Sequence, residues 1–418
     1  MALNYPYVKR VQEGRIVKLF KNFPVVVIVG ARQVGKSTIL EHLFPKIPMV
    51  VFDPIIDVEG ARSDPDLFLN NRPPPVILDE IQYVPELVPA IKRRLDKNKK
   101  PGLYLITGSQ QWEVMKSLAE SLAGRAVFVD LQGFSLKELN QEGEKGKPWL
   151  ERWLENPGDS KVLEGKKGEC KFSLFEQLWR GWLPETQFLP RDVIGAFHEA
   201  YVRTYIERDV RQLAEVSDVQ LFHRFFRLCA ALTAQEVNYS QLGRDIGINP
   251  QTASRWLRIL TATFQWFEVP AWSGNIIKRI SGKPKSYLTD TGLICFTQAI
   301  STQEVLGGHP LWGSIFETAV VNEIKKQASF MDHPPTLYHW HTHGGGEVDL
   351  VLERDGKYYP IEVKANTHPQ KGDFSGINAF RKSYPHLAIQ PGLVIAPAES
   401  SYKISGEDYV IPWDSLGV

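Results

Sequence analysis

Cysteine is nearly absent from this sequence. Three occur in 418 residues, Cys170, Cys229 and Cys295, far apart and odd in number. That pattern excludes a disulfide framework and a CxxC metal knuckle, and it fits a reducing compartment. Long apolar runs are missing too, since no stretch approaches the roughly 20 residues that cross a bilayer. The start, Met1-Ala-Leu-Asn-Tyr-Pro, has neither the basic end nor the apolar core of a signal peptide. A cytoplasmic protein without membrane contact is expected. Charge of one sign is the third absence: 49 Lys and Arg meet 48 Asp and Glu, for a formal charge of +1. A uniformly basic surface is thereby excluded, although a balanced total can conceal a basic segment. With 43% apolar and 23% charged residues the composition is globular, and 418 residues exceed what one ordinary core organises.

The first third alternates short β-branched runs with helical stretches, the pattern of a parallel sheet with crossover helices. Five strands are expected, at 24–29, 49–52, 76–78, 103–107 and 127–131, with helices such as 37–43 and 89–97 between them. From 132 to about 170 the sequence turns polar and rich in Gly, Lys and Glu, which reads as a surface insertion or linker. Helical spacing dominates 193–260. Alternation follows Gln265, with turn signals at Ser273-Gly-Asn and Ser281-Gly-Lys-Pro, and predicts a hairpin. The last stretch reads as a helix at 313–327 and strands at 337–341, 348–353, 359–364 and 388–396, a second α/β unit.

The strongest chemical signal is Gly30-Ala-Arg-Gln-Val-Gly-Lys-Ser-Thr, which follows an apolar strand and opens a helix. Gly30 and Gly35 permit a loop whose N–H groups turn inward on phosphates, with Ala31, Gln33, Val34 and Thr38 completing it. Lys36 would place its charge between the β- and γ-phosphates of ATP, and the Ser37 hydroxyl would ligate Mg²⁺. Pro75-Val-Ile-Leu-Asp-Glu supplies a strand ending in two acids. Asp79 would hold Mg²⁺ through water, and Glu80 would orient and deprotonate the attacking water. Alone, such a pair is more often a solvated turn; beside a phosphate loop the metal-side reading prevails. Ser109, after the fourth strand, would sense the γ-phosphate or cap a helix, with Thr107 as its rival.

The strand count, the Asp79-Glu80 pair and the polar residue after the fourth strand resemble the AAA+ branch of the phosphate-loop ATPases, over about 23–133. That resemblance implies an arginine finger from the lid or a neighbouring subunit, the latter in a homo-oligomer; Arg125 is the first candidate, with Arg203 and Arg208 as rivals. A closer resemblance is to a family of bacterial and archaeal ATPases that join this core to a C-terminal domain of unknown function. Four phrases carry it: the loop Gly30–Thr38, Leu-Asp-Glu-Ile-Gln at 78–82, Ser-Leu-Ala-Gly-Arg at 121–125 and Tyr-Ile-Glu-Arg-Asp-Val at 205–210. It implies the fold and ATP chemistry but no pathway.

Residues 238–260 read as helix, Gly-centred turn and second helix, and the hairpin after them would supply a wing. Gln251, Ser254, Arg255 and Arg258 would face outward while Ala253, Trp256, Leu257 and Leu260 pack. Between 220 and 290, nine Lys and Arg meet four acids, so a basic module of net +5 lies inside the neutral total. DNA is the expected partner, through Arg255, Arg258, Lys278, Arg279, Lys283 and Lys285, with the wing tip best placed for phosphates. Winged helices also serve as protein contacts.

Near the C-terminus, Glu317 on a helix, Asp349 on one strand and Glu362-Val-Lys364 on the next form the constellation of restriction-endonuclease-like folds. There Asp349 and Glu362 would bind Mg²⁺, and Lys364 would steady or deprotonate the nucleophilic water. Gly346-Glu347-Val348 replaces the proline usual before the aspartate, so cleavage and a purely binding role both stay open. His339, His341 and His343 alternate on one strand and read as a polar edge before they read as a metal site.

The expected architecture is α/β: an AAA+ type phosphate-loop core at 1–135, an insertion and helical lid at 136–218, a winged-helix domain at 219–300 and a restriction-endonuclease-like domain at 301–418. Two functions are carried forward. One is an ATPase that binds or remodels DNA, with nuclease activity in its last domain. The other is a regulatory ATPase whose C-terminal half binds protein partners and does not cut.

Overall fold

The structure is a computed structural model that describes residues 5–53, 58–109, 122–143, 145–163, 170–206, 219–275, 277, 279, 282–342 and 344–418. Arg208, Lys278, His343, Ser121 and most of the 205–210 phrase lie outside the described residues. The chain divides into two compact units, Arg10–Gly133 with Leu260–Gln265, and the remainder. Among the described residues no helix is long and apolar enough to cross a membrane.

In the first unit, all five expected strands form: β1 (Val25–Val29), β2 (Met49–Val51), β3 (Val76–Asp79), β4 (Tyr104–Gly108) and β5 (Ala126–Asp130). They are parallel, in the order β2-β3-β4-β1-β5. Every residue of β1 and β4 is buried, because helices cover both faces of a parallel sheet and a continuous β-branched run suits that position. The order makes β3, β4 and β1 neighbours, so the loops that leave their C-terminal ends lie side by side.

The second unit contains three pieces that the sequence separates and the structure joins. The helix Val219–Ala231, the helix–turn–helix Tyr239–Ile246 and Pro250–Ala262, and a three-stranded antiparallel sheet form the first; its order is β6-β8-β7, with β6 (Gln235–Glu236), β7 (Trp266–Val269) and β8 (Lys285–Leu288). Asn238 caps the first helix of the pair through its side chain, and Gly247 ends it at φ 82°, a conformation that glycine adopts without penalty. Trp256 packs edge-on against Phe222 and Phe225. The second piece is a seven-stranded sheet ordered β14-β15-β13-β11-β10-β9, with β12 beside β11. Its strands are β9 (Thr336–His341), β10 (Glu347–Arg354), β11 (Lys357–Val363), β12 (Ala388–Ile389), β13 (Leu393–Ala396), β14 (Tyr402–Ser405) and β15 (Asp408–Pro412). The single strand expected at 388–396 is two, because Pro391 lacks the N–H that a ladder needs. Strands β14 and β15 had no counterpart in the sequence reading.

The stretch expected to be a surface linker is the third piece, and here the sequence misleads. It folds into short helices, Leu136–Leu139 and Trp149–Glu155, with Trp149, Leu150, Trp153 and Leu154 buried. Four apolar residues at helical spacing suffice to bury one face even in a polar setting. They dock on the helix Trp312–Ser329. Its Glu323 accepts from the Leu136 amide (3.1 Å), its Gln327 accepts from the Leu150 amide (2.8 Å), and its Lys326 donates to the Phe134 carbonyl (2.7 Å). The same helix bonds to the hairpin through Asn322 and the Leu288 carbonyl (2.8 Å). A helix satisfied on several sides in this way explains why boundaries at 218 and 300 do not appear as separations between compact bodies.

Trp153 is fully buried, stacked on Trp149 at 5.5 Å and edge-on to Tyr359 at 5.5 Å. Trp153→Ala is expected to cost about 3–5 kcal/mol of stability, read as a shift in the denaturant midpoint; a loss below about 1 kcal/mol would mean that this segment does not belong to the core.

Candidate functional site

The loop between β1 and the helix Lys36–Leu43 is shaped by two glycines. A Cβ on Gly30 would lie 2.0 Å from the Leu131 carbonyl oxygen, and Gly35 has φ 94°. Any other residue at Gly30 would push the loop off the sheet. Lys36 is 4% exposed and its ammonium donates to the Gly30 (3.1 Å) and Ala31 (2.9 Å) carbonyls. Ser37 opens the helix and donates to Asp79 Oδ2 at 2.8 Å. Thr38 is exposed, Val34 and Ala31 are buried, and Gln33 takes φ 61°.

Asp79 is the junction of the site. Its second oxygen accepts from the Thr107 hydroxyl, and the same Thr107 oxygen accepts from the Glu80 amide at 3.0 Å. Burial pushes the Asp79 carboxyl up, and the Thr107 and Ser37 hydroxyls oppose that push. Glu80 sits in the left-handed region at φ 58°, and its carboxylate accepts from Ser109 Oγ at 3.1 Å and from the Gln82 amide. Gln82 also donates to Ser109 at 2.9 Å. At the end of the fourth strand Thr107 holds Asp79 and Ser109 holds Glu80. The donor set of Ser37 and Asp79 fits Mg²⁺, a hard cation that takes hydroxyl, carboxylate and water oxygens.

A support of this loop, and one of the end of β5 beside it, went unread in the sequence. Arg10, 4% exposed, donates to the Val34 carbonyl (2.8 Å) and the Gln132 carbonyl (2.6 Å). Gln12 donates to the Asp130 carbonyl at 2.9 Å. Neither belongs to a recognisable motif; the only hint was a polar pair at the head of an amphipathic helix.

Arg125 requires a correction. It precedes β5 at the N-terminal edge of the sheet, where its carbonyl accepts from the Val25 amide, and its guanidinium pairs with Asp96. The phosphate loop leaves the opposite end of β1, roughly 16 Å away along a five-residue strand. Arg125 therefore does not reach the phosphates of its own chain. Arg203 is exposed in the second unit.

The basic face of the second unit is smaller than expected. Arg255, Arg258 and Gln251 are exposed on the helix Pro250–Ala262, Lys283 is exposed on the hairpin, and Ala253, Trp256, Leu257 and Leu260 are buried. Arg279 is committed elsewhere: it donates to the Ser273 carbonyl, pairs with Glu353 at 3.2 Å and lies over the Trp272 ring at 4.7 Å. Lys285 is a plain reversal. It is buried, and its ammonium lies 2.7 Å from Glu317, 2.9 Å from Asp349 and 3.0 Å from Glu347. A lysine held by three carboxylates cannot grip a DNA phosphate.

That ammonium also alters the C-terminal acids. The structure brings Glu317 and Asp349 together, but around Lys285. The other oxygen of Asp349 accepts from the Val363 amide at 2.9 Å, and Glu362 pairs with Lys364 at 2.8 Å. Burial and the nearby Asp349 push Glu317 and Glu362 up to about 8. Burial also raises Asp349, yet Lys285, Lys364 and the Val363 amide together hold it below the usual carboxylate range. Among the described residues no group of three or more His, Cys, Asp or Glu side chains is arranged to hold a metal ion. The two carboxylates expected to hold Mg²⁺ each meet an ammonium instead, Asp349 that of Lys285 at 2.9 Å and Glu362 that of Lys364 at 2.8 Å. His339 is no exposed edge either: it is buried and its ring nitrogen contacts the Lys283 carbonyl at 3.0 Å.

Residues 22–140 match a family model described as AAA domain. Residues 171–304 and 312–416 match two models each described as a domain of unknown function, DUF8612 and DUF4143. The uncharacterized proteins Rv2008c of Mycobacterium tuberculosis and Mb2031c of Mycobacterium bovis are each 26% identical over 412 residues, 98% of this chain and 84% of theirs. Among solved structures, the Walker-type ATPase paby2304 of Pyrococcus abyssi is 14% identical, with a TM-score of 0.44, over 71% of this chain and 99% of that one. The family match and the loop geometry agree on an AAA-like phosphate-loop ATPase domain.

Arg10→Met removes two bonds to loop carbonyls without touching a phosphate. It is expected to weaken ATP binding by about tenfold, near 1.4 kcal/mol, measured by displacement of a fluorescent nucleotide; unchanged affinity would show that the loop holds its shape without Arg10.

Proposed function

We propose that this chain is a Mg²⁺-dependent ATPase that couples hydrolysis to DNA binding and does not cut the DNA. The observation that carries the ATPase part is the bonded chain Ser37–Asp79–Thr107 set beside the Gly30–Lys36 loop. Loop amides at a helix N-terminus receive phosphate oxygens, and Lys36 adds a positive charge where negative charge gathers in phosphoryl transfer. Mg²⁺ held by Ser37 and, through water, by Asp79 would neutralise the β- and γ-oxygens. Glu80 accepts the proton of the attacking water, and Ser109 and Gln82 set the direction of its carboxylate.

Glu80→Gln is expected to keep ATP binding and lower hydrolysis by about 10²–10⁴-fold, and Lys36→Ala to abolish turnover. Phosphate release and nucleotide binding measured side by side test this; turnover that survives both substitutions ends the ATPase assignment.

Support for DNA comes from Gln251, Arg255 and Arg258 on the exposed side of the second helix of a helix–turn–helix, with Lys283 on the hairpin beyond it. A winged helix would use these groups in that arrangement, the helix in the major groove and the hairpin on the backbone. Duplex affinity should then fall steeply with salt. Arg255→Glu and Arg258→Glu should each weaken binding and reduce the salt slope by about 0.9 per lost phosphate contact. Binding that ignores salt, or ATP turnover that duplex DNA leaves unchanged, would favour the regulatory ATPase whose second unit meets a protein.

Of the two roles open to the last domain, the non-cleaving one is favoured by a specific observation: Lys285 lies among its acids. The seven-stranded sheet with a helix bearing Glu317 still supports a restriction-endonuclease-like fold. Ammonium groups stand against its acids where such cleavage would need a metal, which supports the non-cleaving role.

A further inference from the structure

A charge cluster in the second unit centres on the buried ammonium of Lys285, and its composition is specific. An ammonium has three hydrogens to donate, and the Lys285 nitrogen has three carboxylate oxygens within 3.0 Å. Tyr287, fully buried, donates to the same Glu317 oxygen at 2.8 Å. These groups arrive from separate elements: Lys285 and Tyr287 from β8, Glu317 from the helix Trp312–Ser329, Glu347 and Asp349 from β10.

Backbone contacts set the position of the ammonium. The segment that follows β7 in the hairpin is bonded along β9, with the Trp272 amide on the His339 carbonyl (2.6 Å) and the His339 amide on the Pro270 carbonyl (3.0 Å). The His339 ring in turn contacts the Lys283 carbonyl, two residues from Lys285. Strand β8 is therefore pinned where its lysine reaches β10. A divalent ion in this place would need the same oxygens, and at about 2–3 Å from the ammonium it would meet strong like-charge repulsion in a site with little water.

We propose that Lys285 is the resident cation of this cluster: its ammonium occupies the place of a divalent metal ion, closes the site to metal in the intact chain, and by its removal converts Glu317, Glu347 and Asp349 into a divalent-cation site. The inference deepens the non-cleaving reading and rests on it. Without Lys285, four acids (Glu317, Glu347, Asp349 and Glu362) face one remaining ammonium, that of Lys364. Such an imbalance draws in a cation. Alanine at 285 also leaves the volume of the lysine stem for an ion and its waters.

The test is Mn²⁺ binding to the full chain without nucleotide, by electron paramagnetic resonance titration, on wild type, Lys285→Ala, Asp349→Asn and Lys285→Ala/Asp349→Asn. Lys285→Ala should bind one Mn²⁺ more than wild type and lose it in the double variant. Mn²⁺ should also raise the Tm of Lys285→Ala and leave that of wild type unmoved. A folded Lys285→Ala that gains no ion overturns the inference and leaves the non-cleaving reading standing. If Lys285→Ala does not fold, wild type decides: a bound Mn²⁺ that Asp349→Asn removes overturns the inference, and no Asp349-dependent ion sustains it. Metal-dependent nicking by wild type that is lost in Asp349→Asn would sink the non-cleaving reading as well.

Discussion

The Lys285 ammonium, 5% exposed, meets carboxylates of a helix and a strand within 3.0 Å. Taking a charge out of water costs several kcal/mol unless partners of opposite sign replace the lost hydration. Three acids brought together from a helix and from β10 would repel each other without such a partner, so the docking of β8 and the gathering of the acids are one event. The same helix that carries Glu317 bonds through Glu323, Lys326 and Gln327 to the segment 134–150. Pieces distant in sequence thus become one compact unit through polar contacts that only a single arrangement satisfies.

In the first unit a buried charge has the opposite consequence. Asp79 is raised by burial but is met by hydroxyls, not by a cation. Hydroxyls can turn and give up their hydrogen bonds to a metal's water shell; an ammonium on a pinned strand adds a charge of its own. One buried aspartate is therefore suited to help hold Mg²⁺ beside a nucleotide, and the other is already neutralised from within. The difference lies in the partner, since both aspartates sit on buried strands, Asp79 at the end of β3 and Asp349 within β10.

Much of the first unit was legible because its information is local. A β-branched run followed by Gly-x-x-x-x-Gly-Lys-Ser specifies strand, turn and helix within a few residues, whereas the sheet order, with β1 between β4 and β5, is set by packing across the sheet. The helix–turn–helix was legible for the same reason, down to Ala253, Trp256, Leu257 and Leu260 as its buried face. Arg125 was misplaced because sequence adjacency to a strand says nothing about which end of the sheet the residue occupies. Arg10 was missed because a side chain that donates to loop carbonyls from over twenty residues away leaves no spacing to detect. The linker was misread because composition averages over a segment, whereas Trp149 and Trp153 are buried by position.

By itself the sequence determined the phosphate loop, the acid pair, the alternation of strands and helices, and the presence of a basic stretch within a neutral total. Those features depend on residue type and on neighbours within one or two turns. Only the tertiary structure decided which charges face which. Lys285 counted toward a DNA-binding surface, and the fold turns its ammonium onto Asp349, a residue that the sequence offered as a metal ligand. A formal charge is a property of the residue, but its partner is a property of the fold, because electrostatic pairing acts across space without regard to separation along the chain.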